Sequence, residues 1–202
     1  MEGIRWLFFD IGSTLADESG VYADIYRKIA QSAGVSEEQV RQTALGIYMN
    51  GGRGDRETAR LFGVDFPSWD PSLEVLYDDA KEVLRILSGR YCTGIIANQI
   101  PGTEERLEAF GIRRYMDVVA ASGEEGVSKP DPELFEIALR KAGCVPEEAV
   151  MIGDRLDNDI APARKLGMKT IWIRQGYGRL RVPESEAPDL EADCLSDLLN
   201  IL

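Results

Sequence analysis

The 202-residue chain contains no histidine. That single absence removes Ser-His-Asp and Cys-His nucleophilic catalysis, together with every histidine-containing zinc site. Any acid-base chemistry must then come from carboxylates, lysine, tyrosine or a metal-bound water. Cysteine is scarce: Cys92, Cys144 and Cys194 stand far apart, forming neither a CxxC metal site nor a disulfide framework, so the cytoplasm is the expected compartment. No apolar stretch approaches the roughly 18 residues of a membrane span. The first residues also lack the basic region, apolar segment and cleavage site of a signal peptide. Basic residues are in deficit, with 23 Lys and Arg against 35 Asp and Glu, a net charge of −12 and no dense basic run. Such a surface repels nucleic acid and anionic lipid, so neither is expected as a partner.

What is present suits one globular unit of ordinary size, with 44% apolar and 29% charged residues. Ile4 to Phe9 reads as a buried strand. From Ala16 to about Leu76 the pattern is helical. "VYADIYRKIAQSAG" places Val21, Ile25, Ile29 and Ala33 at helical spacing and stops at Gly34. Ser36 and Gln39 form a capping box opening the next helix, with Val35 and Val40 placed as its hydrophobic staple. A Gly-rich turn and a third short helix follow, then a linker with two prolines. Beyond it, helices alternate with the strands "CTGIIAN", "MDVVAAS", "EAVMIGD" and "KTIWIR", and "CLSDLLNIL" closes the chain as a helix. That alternation specifies an α/β fold, a Rossmann-like parallel sheet covered by helices on both faces. The expected division is a core of residues 1–15 and 77–202, with a helical cap of residues 16–76 inserted after the first strand.

Ligands of open parallel sheets bind beyond the carboxyl ends of the strands. The first strand ends at Asp10, the second at Ala97-Asn98 and the fourth at Gly153-Asp154, while Lys129 stands just ahead of a helix after the third. "GDRLDND" supplies Asp154, Asp157 and Asp159. Acids in a first helical turn are favoured by the macrodipole, which accounts readily for one of them and less well for three. Lys129 beside Pro130 reads on its own as a partly exposed loop lysine. Arg53, Arg56 and Arg60 in "GGRGDRETAR" read as a solvated helix face, and Tyr22 and Tyr26 lie on the first helix of the cap.

Taken in order, the Asp10 strand, the inserted helices, "SKPDPELF" and a "GDxxxxD" ending at Asp159 resemble the haloacid dehalogenase superfamily of hydrolases over nearly the whole chain. The resemblance implies a magnesium-dependent phosphatase working through an aspartyl-phosphate on a small phosphorylated metabolite, as a monomer or homodimer. It casts Asp10 as nucleophile and metal ligand, Lys129 as the cation that holds the phosphoryl group, and Asp154, Asp159 and the Gly12 carbonyl as further ligands. Asn98, Ser13 and Gly12 are implied in phosphate binding. The charge argument agrees. Three carboxylates beside a phosphate repel strongly at low dielectric, and an all-oxygen donor set without His or Cys selects Mg²⁺.

Two positions depart from the family's pattern. The second Asp of its usual Asp-x-Asp-Gly-Thr opening, a general acid and base, is here Gly12, and the hydroxyl residue before Asn98 is Ala97. General acid-base catalysis is worth about 10²–10⁴-fold. The readings left open are a hydrolase favouring good leaving groups, or one whose proton donor comes from Asp17 or a cap residue. The alternatives are a weakened relative that only binds Mg²⁺ and a phosphorylated ligand or partner, and, less favoured, the dehalogenase branch.

Overall fold

The computed structural model describes residues 2–181 and 187–202. Strands β1 (Trp6–Phe9), β4 (Cys92–Ala97), β5 (Val118–Ala121), β6 (Ala149–Gly153), β7 (Lys169–Ile173) and β8 (Leu190–Ala192) form one parallel sheet, ordered β5-β4-β1-β6-β7-β8. Strand β1 lies in the middle because it is apolar along its whole length and buried on both faces. Its neighbours register as Phe9 with Ile95 on one side and Ile152 on the other. Strand β8 was not expected from the sequence. It is a three-residue edge strand whose first two residues are exposed, too short and too polar for any alternation to mark it.

Side chains alternate across the sheet, as the pleat requires. Leu7, Phe9, Ile95, Val150 and Ile152 face one apolar layer, packed by α4 (Ala80–Leu87), α5 (Thr103–Ala109) and the C-terminal α9 (Leu198–Ile201). Trp6, Phe8, Ile96 and Met151 face the other, packed by α7 (Pro132–Ala142) and α8 (Ala161–Leu166). The Phe8 ring stacks on Trp6 at 5.5 Å between centroids. Gly94 makes room for it, since a Cβ there would meet that ring at 2.8 Å. A single turn, α6 (Ser122–Glu125), follows β5.

Between β1 and β4 the chain leaves the sheet. Helices α1 (Ser19–Ala33), α2 (Glu37–Met49) and α3 (Gly54–Leu61) pack on one another around Val21, Ile25, Ile29, Val40 and Ala44. Tyr26 and Ala30 fill the face that spacing had assigned to Ala33, which is only half-buried. The capping box is present in full: Ser36 Oγ accepts from the Gln39 N–H and Gln39 Oε1 from the Ser36 N–H. Val35 packs against the cluster that buries Val40. Where the segment departs and returns, β2 (Ala16–Asp17) pairs antiparallel with β3 (Val75–Leu76), a two-residue ribbon where helix had been expected. Tyr177, in the loop after β7, reaches across to this segment, stacking on Tyr48 at 4.5 Å and meeting Tyr22 edge-on at 5.0 Å.

Deleting the buried Phe8 ring opens a cavity in the sheet's centre. Phe8→Ala is therefore expected to cost about 3–5 kcal/mol, and Ser36→Ala, which removes one helix cap, about 1 kcal/mol. Urea unfolding of the two variants measures both, and equal losses would contradict this assignment of the core.

Candidate active site

Successive connections leave β1 and β6 in opposite directions, toward β4 and toward β7, so the sheet's switch point lies between β1 and β6. A crevice opens there at the carboxyl ends of the strands. Asp10 follows β1 directly, and its N–H extends the ladder by donating to the Ile152 carbonyl at 2.9 Å. Asp154 follows β6. Asp154 is buried, and the Trp172 indole N–H donates to its backbone carbonyl at 2.7 Å. Asp159 sits in a wide π turn, Leu156–Ile160, in which the Arg155 carbonyl accepts from both Asp159 and Ile160 N–H groups. Pro162, within the first turn of α8, has no N–H to donate to a regular ladder behind it. Gly153 permits the turn's close approach, because a Cβ there would lie 2.6 Å from that of Asp159.

Lys129 joins these elements. Its ammonium donates to Asp10 Oδ1 at 2.8 Å, to Asp159 Oδ1 at 2.5 Å and to the Ile96 carbonyl at 2.8 Å. All three protons are used. The residue is 1% exposed, which corrects the expectation of a partly exposed loop lysine. The loop's neighbourhood to Pro130 said nothing about where its side chain went. Asn98, expected to bind phosphate, lines the crevice and also holds Lys129 in place: Nδ2 donates to the Lys129 carbonyl and Oδ1 accepts the Lys129 N–H, at 2.9 and 2.7 Å. Ser13 is similarly occupied. Its φ of 53° is left-handed, its N–H donates to the Ala16 carbonyl and its hydroxyl to Glu18. Asp157, by contrast, turns away and pairs with Arg155 at 2.6 Å.

Carboxylate oxygens of Asp10, Asp154 and Asp159 come within 4.8 Å of one another. Burial raises the Asp154 carboxyl well above its usual range, and Asp159 and Asp10 raise it further. Burial also lifts Asp159, to about 6, against the pull of Lys129. Burial alone would lower Lys129, but Asp10 and Asp159 outweigh it, so the ammonium is held charged. If all three carboxyls are ionised, they outnumber the one ammonium by two negative charges, in a nest of hard oxygen donors. The residues thus fit a divalent cation that favours oxygen ligands.

Sequence reasoning missed Glu18. This residue begins α1, yet its carboxyl turns back into the cleft beside Gly12, 8% exposed, and burial with Asp10 and Glu74 nearby pushes it up to about 8. Asp17, named from the sequence as a substitute acid, instead accepts the Ser19 N–H at 2.8 Å. Asp10, Lys129, Asp154 and Asp159 form the floor of a cavity of about 600 Å³, and Tyr22, Tyr48, Phe66 and Trp69 stand in its wall. Arg53 and Arg56 are exposed, as a solvated face requires, and also line the cavity, with Arg56 over the Phe66 ring at 4.6 Å. Arg60 is exposed, as expected.

The chain is 29% identical to a glyceraldehyde 3-phosphate phosphatase of Pyrococcus furiosus, covering 100% of this chain and 94% of that one. It is 31% identical to a phosphoserine phosphatase of Thermus thermophilus, over 86% of this chain and 62% of that one. A crystal structure of a HAD phosphatase from Thermococcus onnurineus superposes with a TM-score of 0.69 at 25% identity, covering 98% and 97% of the two chains. Residues 4–167 match the family model for haloacid dehalogenase-like hydrolases, a span that holds Asp10, Lys129, Asp154 and Asp159 together, and the chain belongs to that family of hydrolases.

Proposed function

We propose that this hydrolase is a magnesium-dependent phosphatase of small phosphorylated metabolites, with Asp10 as its nucleophile. The observation that carries the reading is the Asp10 carboxylate, fixed by Lys129 at 2.8 Å on the floor of the cavity, beside two further acids. Asp10, Asp154, Asp159 and the Gly12 carbonyl would hold the cation. When bound, it would screen the carboxylates and draw charge from the phosphoryl oxygens. Asp10 attacks phosphorus, the ester oxygen leaves, and an aspartyl-phosphate forms that water then hydrolyses. Lys129 orients Asp10 and faces the charge that builds on the phosphoryl oxygens. Asn98 positions Lys129 through both ends of its amide.

Helices α1 to α3 and their apolar cluster support a cap of residues 16–76 on a core of residues 1–15 and 77–202, with the cavity between them. The names of the relatives, glyceraldehyde 3-phosphate phosphatase and phosphoserine phosphatase, denote three-carbon phosphate monoesters. A substrate of that class suits the cavity, and Arg53 and Arg56 in its wall would draw an anion toward a chain of net charge −12. Free, separated cysteines support a cytoplasmic enzyme, and no helix among the described residues is long and apolar enough to cross a membrane. The competing reading, a phosphoryl-binding protein without turnover, rests on the missing side chain at Gly12 and the missing hydroxyl at Ala97.

A phosphate-release screen with magnesium over many phosphoesters, run beside Asp10→Asn, separates the two readings. Turnover that disappears in Asp10→Asn supports the phosphatase; binding of beryllium fluoride without turnover supports the binder. Titration calorimetry is expected to show magnesium affinity falling by more than about 10-fold in Asp154→Asn, and unchanged affinity would remove Asp154 from the metal site. Lys129→Met strands Asp10 and Asp159 beside each other without their cation. Turnover is expected to vanish and stability to drop by about 3–5 kcal/mol; an unchanged urea midpoint would show that the buried ammonium does not hold the site together.

A further inference from the structure

The structure places a carboxyl group where the chain lacks one. Gly12 has no side chain, and a Cβ built on it would lie 2.6 Å from Cδ of Glu18 and 2.8 Å from its Oε2. The Glu18 carboxyl therefore fills the volume into which a side chain at position 12 would grow. With the Glu18 carboxyl where it stands, a side chain at position 12 has room only if Glu18 turns aside.

Three further observations set this carboxyl apart from an ordinary surface acid. Glu18 is the residue just before α1, with the helix's first free N–H groups within its neighbourhood. Its side chain caps none of them. It lines the same cavity as Asp10, Lys129, Asp154 and Asp159, and the residue as a whole is 8% exposed. Its orientation is set by Ser13 Oγ, which donates to Oε2 at 3.3 Å, and by a longer contact from the Tyr22 hydroxyl to the same oxygen at 3.5 Å. Among the described residues nothing donates to Oε1, the oxygen nearest to Gly12.

We infer that Glu18 is the acid-base residue of the reaction, reaching from the start of α1 into the space left by Gly12; the inference rests on the phosphatase reading. In the first half-reaction Asp10 Oδ forms a bond to phosphorus as the bond from phosphorus to the ester oxygen breaks. The leaving oxygen takes the proton of the Glu18 carboxyl and departs as an alcohol. In the second, the Glu18 carboxylate accepts a proton from water as that water bonds to phosphorus. The bond from phosphorus to Asp10 then breaks, releasing inorganic phosphate and restoring both residues. Alkyl esters, whose alkoxide is a poor leaving group, depend on the donated proton; p-nitrophenyl phosphate scarcely does.

The test is rapid-quench kinetics of wild type and Glu18→Gln, which keeps size and burial, on glycerol 3-phosphate and p-nitrophenyl phosphate with magnesium. In Glu18→Gln, phosphorylation by glycerol 3-phosphate is expected to slow about 10²–10⁴-fold, and phosphorylation by p-nitrophenyl phosphate far less. The variant should then release one nitrophenolate per chain in a burst and accumulate phosphorylated Asp10, because the water-activating step is lost too. Equal slowing on both esters without a burst would make Glu18 structural and overturn the inference. A second arm moves the carboxyl: Glu18→Ala should lose alkyl-ester turnover, and Gly12→Asp added to Glu18→Ala should recover it by placing a carboxyl in the same volume. Unchanged alkyl-ester turnover in Glu18→Ala would also overturn the inference. If wild type hydrolyses neither ester, the phosphatase reading itself fails; if wild type hydrolyses both and Glu18→Gln matches it, only the role of Glu18 falls.

Discussion

One buried ammonium holds the cleft in register. Lys129 spends its three protons on the carboxylate after β1, the carbonyl of Ile96 in β4 and the carboxylate in the π turn after β6. A lysine taken out of water without such partners would lose its charge, and the carboxylates without it would face one another at low dielectric. Each group thus offsets the cost of burying the others. The sheet brings their backbones close, while the ammonium decides that the side chains converge rather than splay toward solvent.

That arrangement also explains why so many small residues surround the site. Gly153 lets the π turn close over the sheet so that Asp159 can reach Lys129. Ser13 holds a left-handed φ, which costs on the order of 1–3 kcal/mol, within a loop whose carbonyl and amide groups pair between Ile11 and Ala16. Apolar packing on both faces of β1 supplies the rigidity that such a strained and charged edge needs. The helical segment closes the cleft from above with an aromatic wall, tied to the core loop by Tyr177.

Much of this was legible in the amino-acid sequence, for definite reasons. Asp10 and Asp154 could be placed because an apolar strand that stops at an acid marks its own carboxyl end, and parallel sheets bring those ends together. The capping box at Ser36 and Gln39 is a local pattern with a local cause, and it formed as read. What escaped depended on side-chain direction. Lys129 followed by Pro130 looks the same whether the ammonium points to water or inward, and nothing local showed that the Asn98 amide clasps the Lys129 backbone. Strand β8 is an edge held by neighbours rather than by propensity. Glu18 escaped because an acid at a helix start already has an ordinary explanation, and only its rotation toward Gly12 removes that explanation.

The shared volume of Gly12 and Glu18 carries a consequence for substitution at either position. Two side chains that draw on one volume are coupled: a larger residue at 12 turns the Glu18 carboxyl out of the place it now holds, and a smaller one at 18 frees that place. Glycine at 12 leaves open the volume that the Glu18 carboxyl occupies, so the residue at 12 has its meaning only together with the residue at 18.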